Sequence, residues 1–167
     1  MNELIIFTAQ YLYLVIAIVA LVFVIRQPRE ERLRVMLCMA LALPLTYIVA
    51  KIASVLYYDP RPFVVTADFV PLLAHAADNG FPSDHTLFAS ALAAVIFIFQ
   101  RWLGLGLFVV AFLVGAARVA AGVHHFVDIF GSMFMAAAVT YFVWRFVLPR
   151  AWALCAARYP SFFTKQA

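Results

Sequence analysis

"LIIFTAQYLYLVIAIVALVFVI", residues 4–25, runs for 22 residues without a charge. As a helix rising about 1.5 Å per residue it covers about 33 Å, enough to cross a hydrocarbon core of about 30 Å. The run is continuous and lacks two-residue alternation, so it reads as a helix and not as a barrel strand. It is too long for the apolar region of a signal peptide, about 7–15 residues. Glu3 stands where a leader carries Lys or Arg, and no small-residue cleavage site follows. The expectation is a retained membrane span.

Four more stretches repeat the pattern, at roughly 35–57, 82–99, 103–122 and 126–148. The connections are "RQPREERLR" (26–34), a longer loop 58–81, "QRW" (100–102), a tight turn near 123–125 and a C-terminal tail. The whole chain supports the same reading: 67% of its 167 residues are hydrophobic, 12% are charged and the mean hydropathy is +1.00. Soluble domains average about 45–50% apolar and about 25% charged residues. The sequence therefore predicts an all-α, polytopic membrane bundle of about five helices, forming one integral-membrane domain over 1–167. The net charge of +4 lies mostly in short loops and gives no nucleic-acid footprint. Cys38 and Cys155 form no metal-ligand spacing and read as small membrane-facing hydrophobes.

The charges fall unequally on the two sides. One side carries Arg26, Arg29, Arg32, Arg34, Arg101, Arg145, Arg150, Arg158 and Lys165, opposed only by Glu30 and Glu31. The other carries Asp59, Asp68, Asp78, Asp84, Asp128 and all four histidines, with Lys51, Arg61 and Arg118. The positive-inside rule makes the first side cytoplasmic, with the N-terminus out and the C-terminus in. Trp102, Trp144 and Trp152 fit an inner aromatic belt, and Tyr57 and Tyr58 an outer one.

The chemistry-bearing residues collect on the outer side in three clusters. "KIASVLYYDPRPF" (51–63) ends the second span. "NGFPSDH" (79–85) opens the third, with Pro82 suited to its first turn and Asn79 or Ser83 as caps. "ARVAAGVHHFVD" (117–128) joins the fourth to the fifth. His124 and Asp128 stand at i and i+4, so the carboxylate can hold one ring nitrogen and leave the other as nucleophile or base. His85 sits at a helix N-terminus, which favours an anion. Arg61 and Arg118 offer guanidinium forks that match phosphate oxygens. Together these residues describe phosphoryl transfer. Ionisable groups this close to a membrane are costly, which argues for function over chance. His125, lacking a carboxylate at i+4, reads as structural, and His75 and Asp78 as loop residues near the entrance.

The three clusters resemble the signature of the type 2 phosphatidic acid phosphatase superfamily: Lys-x6-Arg-Pro, Pro-Ser-Gly-His and Ser-Arg-x5-His-x3-Asp. Here the third part keeps Arg118-x5-His124-x3-Asp128, the second reads "PSDH" at 82–85, and the first ends in Arg61-Pro62. The resemblance spans about 51–128, and "PSDH" and "YYDPRPF" look most like the bacterial undecaprenyl-diphosphate phosphatase branch. It implies that His124 attacks phosphorus to form a phosphohistidine, that Asp128 orients His124, and that His85 protonates the leaving oxygen. Arg61, Arg118, Ser83 and Lys51 would hold the phosphoryl oxygens, with Asp84 beside them, and no metal or cofactor is needed.

The chain departs from the signature at three positions. Lys51 lies ten residues before Arg61, one helical turn from the family position, which is Ser54 here. Asp84 replaces a glycine, and would repel phosphate unless paired with Arg or Lys or tuning His85. Ala117 replaces a serine. The family usually has six spans, and the one without a counterpart here is the first.

The resemblance implies a multi-pass enzyme of the bacterial inner membrane, acting on a membrane lipid with its site facing the periplasm or outside. Undecaprenyl diphosphate is the favoured substrate, and loop 58–81, with Phe63, Phe69 and Pro71, the candidate entrance lid. Phosphatidylglycerophosphate, phosphatidic acid and lipid A are alternative substrates. Two rivals come from other classes. One is a metalloenzyme using His85, His124, His125, Asp84 and Asp128, disfavoured by the nearby arginines. The other is a transporter, whose polar groups belong nearer mid-bilayer.

Overall fold

The computed structural model describes residues 1–159, so Lys165 of the charge count lies outside the described residues. Two long helices open the chain, α1 (Asn2–Arg26) and α2 (Arg29–Leu56), joined by the extended pair Gln27-Pro28. A single turn, α3 (Pro62–Val65), interrupts the long loop. Next come α4 (Asp84–Phe99) and α5 (Arg101–Ala120). The last rod runs through α6 (Phe126–Phe142), a π-helical turn (Val143–Val147) and α7 (Leu148–Arg158). The described residues contain no strand, only an isolated antiparallel bridge between Pro60 and Asn79.

Four of these rods are long and apolar enough to cross a membrane: Asn2–Arg26, Arg29–Leu56, Arg101–Ala120 and Phe126–Arg158. The fifth expected span, α4, has only 16 residues, about 24 Å of helix. It can be short because it is central. It packs against α1, α2, α5 and α6, and Thr86, Leu87 and the continuous run Ala89–Ile96 are all buried. Small residues at Ala89, Ser90, Ala91, Ala93 and Ala94 let neighbouring helices approach closely, the usual basis of helix association in membranes. At the α4–α5 corner a side chain on Gly104 would start 2.2 Å from the Phe97 Cα.

The surface is what a membrane protein requires. Leu4, Phe7, Ile18, Leu21, Ile48, Ile52, Phe130 and Phe134 are all more than half exposed, an unsustainable face in water. Cys38 departs from the reading above. It is fully buried among Val24, Val35, Ala42 and Val95 and does not face lipid. The final rod also outruns its expected end at 148: Pro149, which cannot donate to the helix ladder, falls in the first turn of α7, where such a donor is not needed, two residues beyond the π turn.

Asn79 does not cap α4. Ser83 occupies that position, one residue beyond Pro82, without a side-chain capping bond. Asn79 instead closes off α2: its Nδ2 donates to the carbonyls of Ser54 at 2.8 Å and Tyr57 at 2.9 Å, two of the acceptors a helix end leaves open. Its Oδ1 accepts from the amides of Asp59 and Phe81.

Loop 58–81 docks on the bundle through an apolar cluster. Leu73 is buried with Ala9, Ala117, Ala121 and Val123, and Phe63 packs alongside. The amide of Leu72 donates to the carbonyl of Ala121 at 2.9 Å. Gly122 turns the α5–α6 corner at φ +78°, and the Phe69 ring lies where its side chain would be, 2.3 Å from an added Cβ.

Candidate functional site

The C-terminal ends of α2 and α5, the N-terminal ends of α4 and α6 and the start of α1 meet at one end of the bundle. The arginine-rich connections and the tryptophans lie at the other. A cavity of about 330 Å³ opens there, lined by Lys51, Ser54, Arg61, His75, Asp78, Asn79, Phe81, Pro82, Asp84, His85, Arg118 and His124. Six of the eight sequence-predicted site residues stand on this wall, and Asp128 is directly behind His124.

His124 belongs to the short turn before α6, outside the helical spans. Its Nδ1 lies 3.0 Å from Asp128 Oδ2, an oxygen that also accepts from the His125 amide at 2.9 Å. Asp128 is fully buried and His124 is 2% exposed. An acceptor-only carboxylate fixes the proton on Nδ1, so the lone pair sits on Nε2. Burial lowers the His124 pKa from its ordinary value; the Asp128 bond opposes this, and the charges of Arg118 and Arg61 add to it. The balance favours the neutral form of the ring.

Arg61 ties the cavity wall together. Its Nε donates to Asp78 Oδ1 at 2.7 Å, and its Nη1 to the Val123 carbonyl at 2.7 Å. The same Nη1 is 3.5 Å from His124 Nε2, and Nη2 is 3.5 Å from the Asn79 carbonyl. Burial alone would raise the Asp78 pKa, but the hydrogen bond and charge of Arg61 bring it below the ordinary carboxylate value. Burial, and then Arg61, lower that of His75. Arg118 is 3% exposed and donates to the Ala9 carbonyl at 3.3 Å, while its Nε has no hydrogen-bond partner among the described residues.

His85 opens α4 with its ring edge-on to Tyr13, centroids 4.8 Å apart. Lys51 reaches the cavity despite its shifted spacing, because it and Ser54, one turn on, both face it. Its Nζ is 4.0 Å from Asp84 Oδ1, so the carboxylate that replaces the family glycine has a cation beside it. Ser83 is the exception among the predicted phosphate ligands. It is fully buried, its hydroxyl accepts from Thr86 Oγ1 at 3.2 Å, and it does not line the cavity.

The sequence reading missed Tyr13, Ser132 and the pair Asp59–His125. Ser132, one turn beyond Asp128, places its hydroxyl 2.7 Å from the Asp128 carbonyl and 3.1 Å from the Ser83 carbonyl, joining α6 to α4. Of the alternative metal-ligand set, only His125 and Asp128 fall in a group of three or more converging ligand atoms among the described residues, with Asp59 as its third member. A second cavity, about 320 Å³, descends between α2 and α4 along Leu43, Thr46, Tyr47, Leu87, Phe88 and Ala91, and shares Asp84 with the first.

Fold and site together define a polytopic helical membrane protein with a histidine–carboxylate pair set among arginines at one end of the bundle. The chain belongs to the PAP2 superfamily, which it matches over residues 33–152. It is 31% identical over 129 residues to the bacitracin transport permease protein BcrC of Bacillus licheniformis, covering 77% of this chain and 63% of that one. To the undecaprenyl-diphosphatase BcrC of Bacillus subtilis it is 34% identical over 99 residues, 59% of this chain and 51% of that one. The chain thus spans about half to two thirds of the length of these relatives. The crystal structure of Aquifex aeolicus LpxE superposes with a TM-score of 0.65 at 25% identity, over 87% of this chain and 88% of that one.

Proposed function

We propose that this chain is a membrane lipid phosphatase, one domain over 1–167, that removes the terminal phosphate of undecaprenyl diphosphate at the outer leaflet. The relative named undecaprenyl-diphosphatase supports the substrate. The observation that carries the chemistry is the His124–Asp128 bond at 3.0 Å, which leaves His124 Nε2 beside the Arg61 guanidinium. Nε2 attacks the terminal phosphorus and forms an N–P bond as the bridging P–O bond breaks. Asp128 stabilises the positive charge that develops on the ring. His85 delivers a proton to the departing undecaprenyl monophosphate. Water then cleaves the phosphohistidine, giving inorganic phosphate and free His124.

Arg61, Arg118 and Lys51 neutralise the phosphoryl oxygens as charge builds in the transition state, the role a metal plays in other phosphatases. Asp84 restrains Lys51, and loop 58–81 covers the entrance. The groove between α2 and α4, apolar except for Thr46, Tyr47 and Asp84, suits the isoprenoid tail. The arginine asymmetry of the sequence supports a cytoplasmic C-terminus and a site facing the periplasm or outside.

The test is phosphate release by detergent-purified protein from undecaprenyl diphosphate in EDTA, for wild type and His124→Ala. Release that vanishes in the variant is expected. Full activity of His124→Ala would sink the nucleophile assignment. An inactive wild type that does hydrolyse phosphatidic acid or phosphatidylglycerophosphate would replace the substrate but keep the mechanism.

A further inference from the structure

Outside the residues that face the cavity, one histidine–carboxylate pair of the described residues remains to be explained. His125 Nδ1 lies 2.9 Å from Asp59 Oδ2, joining residues 66 apart in the chain. The ring is 38% exposed and the carboxylate 16%, so neither is in the cavity wall.

Each partner is tied inward through its backbone. The Asp59 carbonyl accepts from the Gly80 amide at 2.8 Å, and the Asp59 amide donates to Asn79 Oδ1 at 2.9 Å. Segments 59–61 and 79–81 thereby run side by side around the Pro60–Asn79 bridge. Gly80 lies over the buried carboxylate: a Cβ there would stand 3.1 Å from Asp128 Oδ2 and 3.1 Å from the Asp59 carbonyl. His125, for its part, donates its amide to that same Oδ2 at 2.9 Å. The result is a closed circuit. Asp59 holds Gly80 over Asp128 with its backbone and His125 with its side chain, and the His125 backbone holds Asp128.

We propose that Asp59 and His125 are positioning residues, a clasp that keeps the Gly80 segment seated on Asp128 so that Oδ2 stays dry and aligned on His124. This rests on the phosphatase reading with His124 as the nucleophile. A pair open to solvent on its His125 side contributes little to folding. Its effect lies in what it covers. With the clasp open, water reaches Oδ2 and competes for the bond that orients His124. The loss therefore falls on turnover and not on substrate binding.

The test measures kcat and KM for phosphate release from undecaprenyl diphosphate by wild type, Asp59→Ala, His125→Phe, the double variant and His125→Asn, with thermal unfolding alongside. Asp59→Ala and His125→Phe should each lower kcat about tenfold, the low end of what outer partners of a functional histidine carry. KM should stay within about twofold, since an orienting interaction is felt in turnover. The double variant should fall no further than either single one, because both open the same clasp. His125→Asn, whose amide nitrogen stands near the place of Nδ1, should recover most of the loss. Wild-type kcat in Asp59→Ala and His125→Phe, a change confined to KM, or multiplying losses in the double variant would overturn the clasp. Equal loss in His125→Asn and His125→Phe would do the same. If Asp59→Ala fails to fold, the comparison of His125→Asn with His125→Phe decides. An active wild type beside unaffected clasp variants removes only this inference. A wild type that releases phosphate from neither undecaprenyl diphosphate, phosphatidic acid nor phosphatidylglycerophosphate removes the phosphatase reading, and the clasp's catalytic role with it.

Discussion

Replacing Arg61 by Lys keeps the charge and removes the fork. In the native protein three guanidinium nitrogens reach three places at once: Asp78, the Val123 carbonyl beside His124, and the Asn79 carbonyl. One ammonium on a flexible stem cannot reproduce this. The bond to Val123 at 2.7 Å is buried, and a charged donor in such a setting is worth about 1.5–3 kcal/mol. The bond to Asp78, whose side chain is 59% exposed, adds no more than about 1 kcal/mol. Together they come to about 2–4 kcal/mol, or about 30- to 1000-fold in kcat/KM when the loss falls on the transition state. The assay is phosphate release from undecaprenyl diphosphate, with Asp78→Asn as control. The control removes only the exposed contact and should cost less than about fivefold. Arg61→Lys within about threefold of wild type, or Asp78→Asn matching its loss, would refute the argument that the planar fork holds the wall in place.

Because burial and the arginines depress the His124 pKa below its ordinary 6.5, the ring stays neutral to lower pH, and the acid limb of kcat/KM should fall below pH 6.5. Removing the positive charge of Arg118 should move that limb upward, toward 6.5, as a pH profile of Arg118→Gln would show. Lys51→Met should cost less than Arg61→Lys, about tenfold or less in kcat/KM, since Lys51 is half-exposed and its one carboxylate neighbour is 4.0 Å away. Gly122→Ala forces a side chain into a positive-φ position and against Phe69, and should lower the thermal midpoint with a stability loss of about 1–3 kcal/mol.

The span-like runs and the His124–Asp128 pair were legible because each is a local pattern, one of apolar length and one of helical spacing. Arg61, Arg118 and His85 could be gathered on paper only because all three stand at span ends on one side. Contacts that depend on the fold of loop 58–81 were not legible. Nothing in "HHFVD" marks His125 as a partner of Asp59, 66 residues away, and its lack of an i+4 carboxylate argued against a role. Asn79 shows the same limit from the other direction. An Asn before an apolar run reads as a cap, but the open carbonyls of Ser54 and Tyr57 compete for its amide and win. Ser83 was predicted by its place in a motif, and the packing of α4 turned its hydroxyl toward Thr86. Lys51 seemed displaced in sequence, yet one helical turn changes height and leaves the face nearly the same, so the cavity accepts both Lys51 and Ser54.

The brevity of α4 has a consequence for kinetics. At about 24 Å, this helix stops some 6 Å short of a hydrocarbon core of about 30 Å, and His85 is in its first turn. With that deficit at the His85 end, the proposed function places the floor of the cavity below the rim of the bilayer, within reach of a headgroup whose tail never leaves the lipid. Encounter becomes a two-dimensional search. At fixed bulk substrate, adding inert phospholipid or detergent should slow turnover by diluting the surface, and saturation should follow mole fraction in the film instead of molarity in the flask.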